Sequence, residues 1–187
     1  MKIYIESICC NFKNNNSKNV NYNNNLIVVK TMKRNISDFE ERKQFYINHF
    51  FNEFYTTINL NHPNIRKTLD IEKKNNLIVF EYCEGIDLLD YLNQYTNNTK
   101  YLLHLYSQIL DGVEYLHSNN IAHLDLKLEN IMVYNNNIKL IDFGEAIRYN
   151  KEILYKGTHG TVAYMPPEMI QQKLYRPNKI DRKSTRL

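Results

Sequence analysis

Residues 121–130 read IAHLDLKLEN, and residues 141–146 read IDFGEA. The first stretch sets His123, Asp125, Lys127 and Asn130 within eight positions; the second adds Asp142. Asp125, Asn130 and Asp142 are oxygen donors presented from loops, a set that suits a hard cation such as Mg2+ better than zinc. Magnesium in turn implies phosphate. The Lys127 ammonium could steady a transferring phosphoryl group, and an Asp beside a hydroxyl can accept its proton. Taken singly, Asp125 and Asn130 could equally cap turns and Asp142 start a bend. Only the grouping points to chemistry.

The elements that must position these loops follow from periodicity. IYIES near the start and LIVVK at 26–30 are β-branched and apolar, which predicts two antiparallel strands joined by an Asn-rich connector, Asn14 to Asn25. From Ile36 to Leu60 there is neither Gly nor Pro, and Phe39, Phe45, Ile47, Phe51 and Ile58 recur at helical spacing. His62, Pro63 and Asn64 end that helix, and LIVF at 77–80 reads as a short buried strand. Helical patterns return at Leu88–Tyr95 and Tyr101–His117, the second with Leu102, Leu105, Ile109, Val113 and Leu116 on one face. IMVY and IKLI around Asn135–Asn137 predict a β-hairpin. Both charged motifs therefore sit at strand ends.

Bulk properties limit the function classes. With 187 residues and 43% hydrophobic content, the chain suits one domain or a small two-lobed unit with a packed core. A net charge of +4 with interspersed signs gives no basic stripe, which argues against nucleic acid. Cys9, Cys10 and Cys83 form no disulfide framework, so a reducing, intracellular and cytoplasmic setting is expected. No leader pattern is visible, and no stretch approaches the roughly 18 apolar residues of a membrane span, so no membrane partner is expected. The asparagine runs fit surface loops.

The spacing H-x-D-x-K-x-x-N at 123–130 followed by D-F-G at 142–144 resembles the catalytic loop and metal-binding motif of eukaryotic-type protein kinases. The family's order continues in VVK at 28–30, Glu53 before NHPNI, LIVFEY at 77–82 and AYMPPE at 163–168. The resemblance implies that Lys30 holds the nucleotide's α and β phosphates with Glu53 as its helix partner, and that Asp125 orients and deprotonates the substrate hydroxyl. It implies that Asn130 and Asp142 hold Mg2+ on the phosphates of ATP. Lys127 and Thr161 match the serine/threonine subclass, whose substrate is a protein Ser or Thr hydroxyl. Phe80 resembles the gatekeeper, and Glu81 to Cys83 the hinge that pairs with adenine. Asp87 is placed for a ribose hydroxyl, Met132 beneath the adenine ring and Val28 above it. Glu129 stands where some members greet an arginine upstream of the acceptor.

Three departures carry physical consequences. The family covers the phosphates with a glycine-rich hairpin, but ICCNFK occupies that place, at Ile8 to Lys13, and the first glycine is Gly85. Side chains there hold the backbone away from phosphate oxygens, which predicts weak nucleotide binding. Leu124 replaces the arginine before the catalytic Asp, so control by loop phosphorylation, at Thr158 for example, lacks its main cation. After PPEM the chain reads YRPNKIDRKSTRL, with Asp181 and Ser184 at family spacing but Lys183 and Arg186 in the Trp and Gly places. This predicts a frameshift or truncation at about Arg182, loss of the Arg partner of Glu168, and uncovered apolar faces on the 101–117 helix and near Met165. An intact frame with no Trp-Ser-x-Gly downstream would overturn the frameshift.

The expected fold is α+β: a two-lobed, protein-kinase-like domain over residues 1–187. Residues 1–82 form a small β-rich lobe, and 83–187 a hinge and an incomplete, mainly helical lobe. The expected activity is transfer of the ATP γ-phosphoryl group to a protein serine or threonine. A pseudokinase scaffold and an inactive remnant are the rival readings, and the residues leave substrate identity and oligomeric state open.

Overall fold

The computed structural model describes residues 4–9, 12–13, 19–20, 26–32, 50–95 and 99–184. The chain forms two compact units, one of Met1–Leu60 with Arg66–Tyr82 and one of Asn61–Ile65 with Cys83–Leu187.

In the first unit, β1 (Tyr4–Cys9), β4 (Ile27–Met32), β6 (Leu77–Glu81) and β5 (Thr68–Glu72) form an antiparallel sheet in the order β1-β4-β6-β5. Strand alternation sends Val28 of β4 to the face where Phe80, Ile78 and the helix residue Phe50 pack, while Ile27, Val29 and Val79 pack together in a separate cluster. Two residues beyond Val28, Lys30 shares its face and so points toward the helix α1, residues 50–57. Helix α1 buries Phe50, Glu53, Thr56 and Thr57, a stripe at spacings of three and four that is mostly polar. The Thr57 hydroxyl donates to the Glu53 carbonyl at 2.7 Å and shares a 2.5 Å hydrogen bond with Thr68 of β5, fastening helix to sheet.

The expected antiparallel start is present, with two corrections. Residues 19–20, inside the expected connector, form β3 (Asn19–Val20) and pair with β2 (Phe12–Lys13). Strand β5 was not expected: Asp70 and Glu72 interrupt its apolar pattern, and a register shift between Thr68 and Asp70 breaks the alternation that would reveal a strand. Of the expected 36–60 helix, Phe39, Phe45 and Ile47 lie outside the described residues, as do Cys10 and Asn11 of the glycine-loop position.

The second unit is built on α3 (Thr99–Ser118), which buries Leu105, Ile109, Val113 and Leu116. Asn64 ties the entry segment to it: its side-chain amide donates to Gln108 Oε1 at 3.0 Å and to the Ile138 carbonyl at 3.1 Å. The expected hairpin is β9 (Ile131–Tyr134) with β10 (Asn137–Leu140). Asn135 and Asn136 turn it at φ of 46° and 66°, the left-handed pair that two-residue hairpins require and that Asn tolerates. Strand β7 (Ile86–Asp87) adds to β9. It approaches so closely that a Cβ on Gly85 would lie 2.0 Å from the Val133 carbonyl oxygen.

Helix α2 (Leu88–Gln94) follows, capped by Asp87 Oδ1 accepting from the Asp90 N–H at 2.9 Å. Strand β8 (Ile121–Ala122) pairs with β11 (Ile147–Arg148), and the short α4 (Pro167–Ile170) and α5 (Pro177–Ser184) complete the unit. Leu124, Tyr149, Met169, Tyr175 and Ile180 form the core beneath the IAHLDLKLEN loop. The apolar face of α3 read from the sequence is not uncovered, since Leu105, Ile109, Val113 and Leu116 are buried; the exposed apolar side chains of the helix are Leu103, Tyr106 and Leu110, with Leu103 at 61%, and Leu102, Tyr106, Leu88, Leu92 and Leu126 line a cavity of about 480 Å3. No described helix is long and apolar enough to cross a membrane.

Candidate active site

The loop after β8 is shaped by hydrogen bonds before any ligand is considered. His123 is fully buried: its Nδ1 accepts the Asp125 N–H at 3.3 Å, so its Nε2–H is left to donate to the Ile141 carbonyl at 3.1 Å. The ring also packs on Phe143, with centroids 4.7 Å apart. His123 is thus a bracket between the two charged motifs. Leu124, next to it, adopts φ of 61°, a left-handed conformation that costs a non-glycine residue about 1–2 kcal/mol. Its N–H is held at 2.9 Å by the Oδ1 of Asp181.

Asp125 is the hub. Its Oδ1 accepts the Thr161 N–H at 2.7 Å, and its Oδ2 accepts from Asn130 Nδ2 at 3.1 Å and lies 3.1 Å from Lys127 Nζ. Lys127 Nζ also donates to Thr161 Oγ1 at 2.7 Å, so the ammonium joins the carboxylate to the threonine. Gly160 makes this approach possible: at φ of 82°, a Cβ there would lie 2.3 Å from the Leu124 carbonyl oxygen and 2.9 Å from Asp125 Oδ1. Asn130 donates a second bond to the Asp125 carbonyl at 2.9 Å, which spends its nitrogen within the loop and leaves Oδ1 as the atom able to meet a cation. The Asn130 carbonyl accepts the Ile141 N–H at 3.0 Å, so Asp142 emerges one residue from Asn130's backbone, at φ of 58°. An amide oxygen and a carboxylate fit Mg2+, which takes one or two protein oxygens and keeps its remaining positions for water and phosphate.

In the first unit Lys30 Nζ lies 2.7 Å from Glu53 Oε2, both buried. A second cation shares that carboxylate. Arg66 Nη2 stands 3.6 Å from Glu53 Oε1, and the Arg66 guanidinium carbon lies 4.0 Å from the Phe80 ring centroid. Among the described residues, each oxygen of Glu53 thus faces a cation, which offsets the cost of burying the carboxylate.

The residues expected on the adenine side divide between the units. Val28 and Phe80 are register partners across β4 and β6 and belong to the core of the first, with Glu81 ending β6 and accepting the Lys67 N–H at 2.7 Å. Cys83, Asp87 and Met132 belong to the second, where Asp87 and Met132 are register partners across β7 and β9. The carboxylate of Asp87 is also engaged as the cap of α2. Glu129 lies 3.4 Å from the Tyr164 hydroxyl.

Sequence reasoning missed Arg66, Gly160 and the role of Asp181. The signals were an arginine in the strand-leading NIRKTL stretch, one of only five glycines standing beside Thr161, and an Asp in a segment otherwise read for its misfit. Asp181 is fully buried, with Oδ2 accepting the His123 N–H at 2.9 Å and lying 2.8 Å from His117 Nε2. Glu168, whose distant Arg partner was expected to be lost, has a different cation: Lys183 donates to its Oε1, and that bond holds the Glu168 carboxyl below its ordinary range. Arg186 lies outside the described residues.

Residues 16–184 match the protein kinase domain family model. The chain belongs to that family. It is similar to the serine/threonine-protein kinase ppk8 of Schizosaccharomyces pombe, at 37% identity over 144 residues, 73% of this chain and 28% of that protein. It is also similar to calcium-dependent protein kinase 6 of Plasmodium berghei, at 40% over 154 residues, 78% of this chain and 10% of that one. A third relative is the human NUAK family SNF1-like kinase 1, at 34% over 137 residues, 71% of this chain and 21% of that one. The chain therefore spans little more than a quarter of the length of these relatives, or less.

Proposed function

We propose that this chain is part of a serine/threonine protein kinase domain and that the Asp125 loop carries out phosphoryl transfer from ATP to a protein hydroxyl. The observation that supports it most is the three-way junction in which Lys127 bonds Thr161 at 2.7 Å while Asp125 Oδ1 accepts the Thr161 N–H at 2.7 Å. A carboxylate fixed by three separate donors has one position, so a Ser or Thr hydroxyl entering beside Thr161 meets it at little reorganisation cost.

Asp125 orients the hydroxyl and takes its proton as the new O–P bond forms, while the bond to the leaving ADP oxygen breaks in line. Lys127 offsets charge on the transferring group. Asn130 and Asp142 would hold Mg2+, which screens the phosphate oxygens when bound. Lys30, paired with Glu53 in the first unit, would meet the α and β phosphates; Val28, Phe80 and Glu81 of that unit, and Cys83, Asp87 and Met132 of the other, are the residues the family resemblance assigns to the nucleoside. The substrate is a protein, as the family implies.

The test is radiolabelled phosphate transfer from Mg·ATP to a serine- and threonine-containing protein, run beside Asp125→Ala. Transfer that falls to background in the variant supports the reading, and equal signals in both sink it. A thermal midpoint raised by Mg·ATP without any transfer would instead indicate a nucleotide-binding scaffold.

A further inference from the structure

Away from Asp125, the segment after β11 and the start of α5 enclose a cavity of about 280 Å3. Lys151, Arg176 and Lys179 line it together with Tyr149, Ile153 and Pro177, and none of the lining residues is acidic. Its two walls are fixed to each other. Tyr155 and Tyr175 exchange backbone hydrogen bonds at 2.8 and 2.9 Å, and Arg176 Nη1 donates to the Lys151 carbonyl at 2.5 Å. Glu152 is exposed and does not line the cavity, and the buried carboxylate of Asp181 is occupied by His117, His123 and Leu124.

Among the described residues, no carboxylate lies within 4.0 Å of the charged groups of Lys151, Arg176 or Lys179, whereas Lys30, Arg66, Lys127 and Lys183 each have one. Three like charges around one concavity repel, and a multiply charged anion placed among them relieves that repulsion. Pro177 opens α5, so the positive end of the helix dipole adds to the same field. An arginine fork between two ammonium groups is the donor set that suits phosphate oxygens. The apolar faces of Tyr149, Ile153 and Pro177 give the rest of the cavity a surface for carbon, which a bare ion would leave unused.

We propose that this cavity binds a phosphate monoester carried on a polypeptide side chain, with Lys151, Arg176 and Lys179 as its ligands. No catalytic group takes part, so the site is independent of the transfer reaction.

The experiment uses the 187-residue chain and a fluorescent peptide containing one phosphoserine and no other charged side chain, followed by anisotropy. The same peptide with serine, inorganic phosphate as competitor and phosphatidylserine vesicles form the other arms. The phosphopeptide is expected to bind at least about tenfold more tightly than the serine peptide, with affinity falling as salt rises. Arg176→Gln and Lys151→Gln/Lys179→Gln should each remove most of that preference, the lysine pair with an unchanged thermal midpoint, since both lysine side chains are exposed. Arg176→Lys should restore part of it. Asp125→Ala should bind as the parent does, which separates this site from the proposed reaction. Equal binding of the two peptides, or variants that bind as the parent does, overturns the proposal. Inorganic phosphate competing as well as phosphopeptide, mole for mole, overturns the polypeptide assignment, and binding confined to the vesicles overturns it in favour of a lipid surface.

Discussion

The Oδ1 of Asp181 accepts the backbone N–H of Leu124 at 2.9 Å and holds that residue at φ of 61°, a strained left-handed turn directly before Asp125. A carboxylate from α5 therefore shapes a loop 57 residues earlier in the chain. Leu124 itself faces Met169, Tyr175 and Ile180, so the position is apolar below and backbone-directed above. The phosphate-reading role that an arginine would give it is replaced by core packing.

Replacing Asp181 with Ala leaves two buried N–H groups and the His117 imidazole without their acceptor. Breaking such a buried cluster costs about 3 kcal/mol or more. Asp181→Ala should lower the urea midpoint accordingly, with Asp181→Asn intermediate because the amide oxygen can still accept. A midpoint within error of the parent's would show that the turn at Leu124 is held by other contacts.

Gly160→Ala tests the close approach to Asp125. A Cβ at 2.3 Å from the Leu124 carbonyl oxygen has no room, and the neighbour is backbone that cannot swing aside. The substitution should cut phosphate transfer about 100-fold or more by displacing Asp125, in line with the cost of an ångström-scale misplacement. Mg·ATP should still raise the thermal midpoint, because the residues proposed to face the nucleotide are elsewhere. Transfer at the parental rate would mean that the Thr161 N–H contact with Asp125 is dispensable.

What could be read in the sequence was what is local. Asp125, Lys127 and Asn130 fall within six positions of one loop, so their meeting needs no long-range information. The IMVY and IKLI hairpin was visible because alternation and turn residues are both short-range signals. Arg66 was hidden for the opposite reason: its partners Glu53 and Phe80 lie 13 and 14 positions away, and only the packing of α1 on the sheet brings them together. Strand β5 was hidden by its bulge. The Lys183 bond to Glu168 was hidden by expectation, since a lysine in a tryptophan's place reads as a defect until its ammonium is seen against the carboxylate.

Arg66 should control Lys30 through Glu53. With one cation on each carboxylate oxygen, Arg66→Met keeps cover over the Phe80 ring but frees Glu53 to turn both oxygens toward Lys30. Lys30 is then held more tightly and, in its proposed phosphate-binding role, is less available, so the KM for Mg·ATP should rise several-fold with kcat little changed. The effect should disappear in a Glu53→Gln background, where the added coupling is lost. An equal fall in kcat with KM unchanged would count against the arrangement, as would an Arg66→Met effect that persists undiminished in the Glu53→Gln background.

Lys183 and Glu168 give a pH dependence of known sign. The hydrogen bond from Lys183, the largest influence on Glu168, lowers its carboxyl pKa from the ordinary 4.5. A carboxyl with a depressed folded-state pKa stabilises the fold above its unfolded value and loses that contribution as pH falls through the folded one. The difference in thermal midpoint between the parent and Lys183→Met should therefore be constant from neutral pH down to about 5 and shrink below 4.5. It should vanish once Glu168 is protonated in both. The pair is partly exposed, with side chains 46% and 22% accessible, so high salt should reduce the difference at every pH. A difference that grows on acidification would show that Lys183 acts through some group other than Glu168, since only loss of the carboxylate charge can weaken this bond in that range.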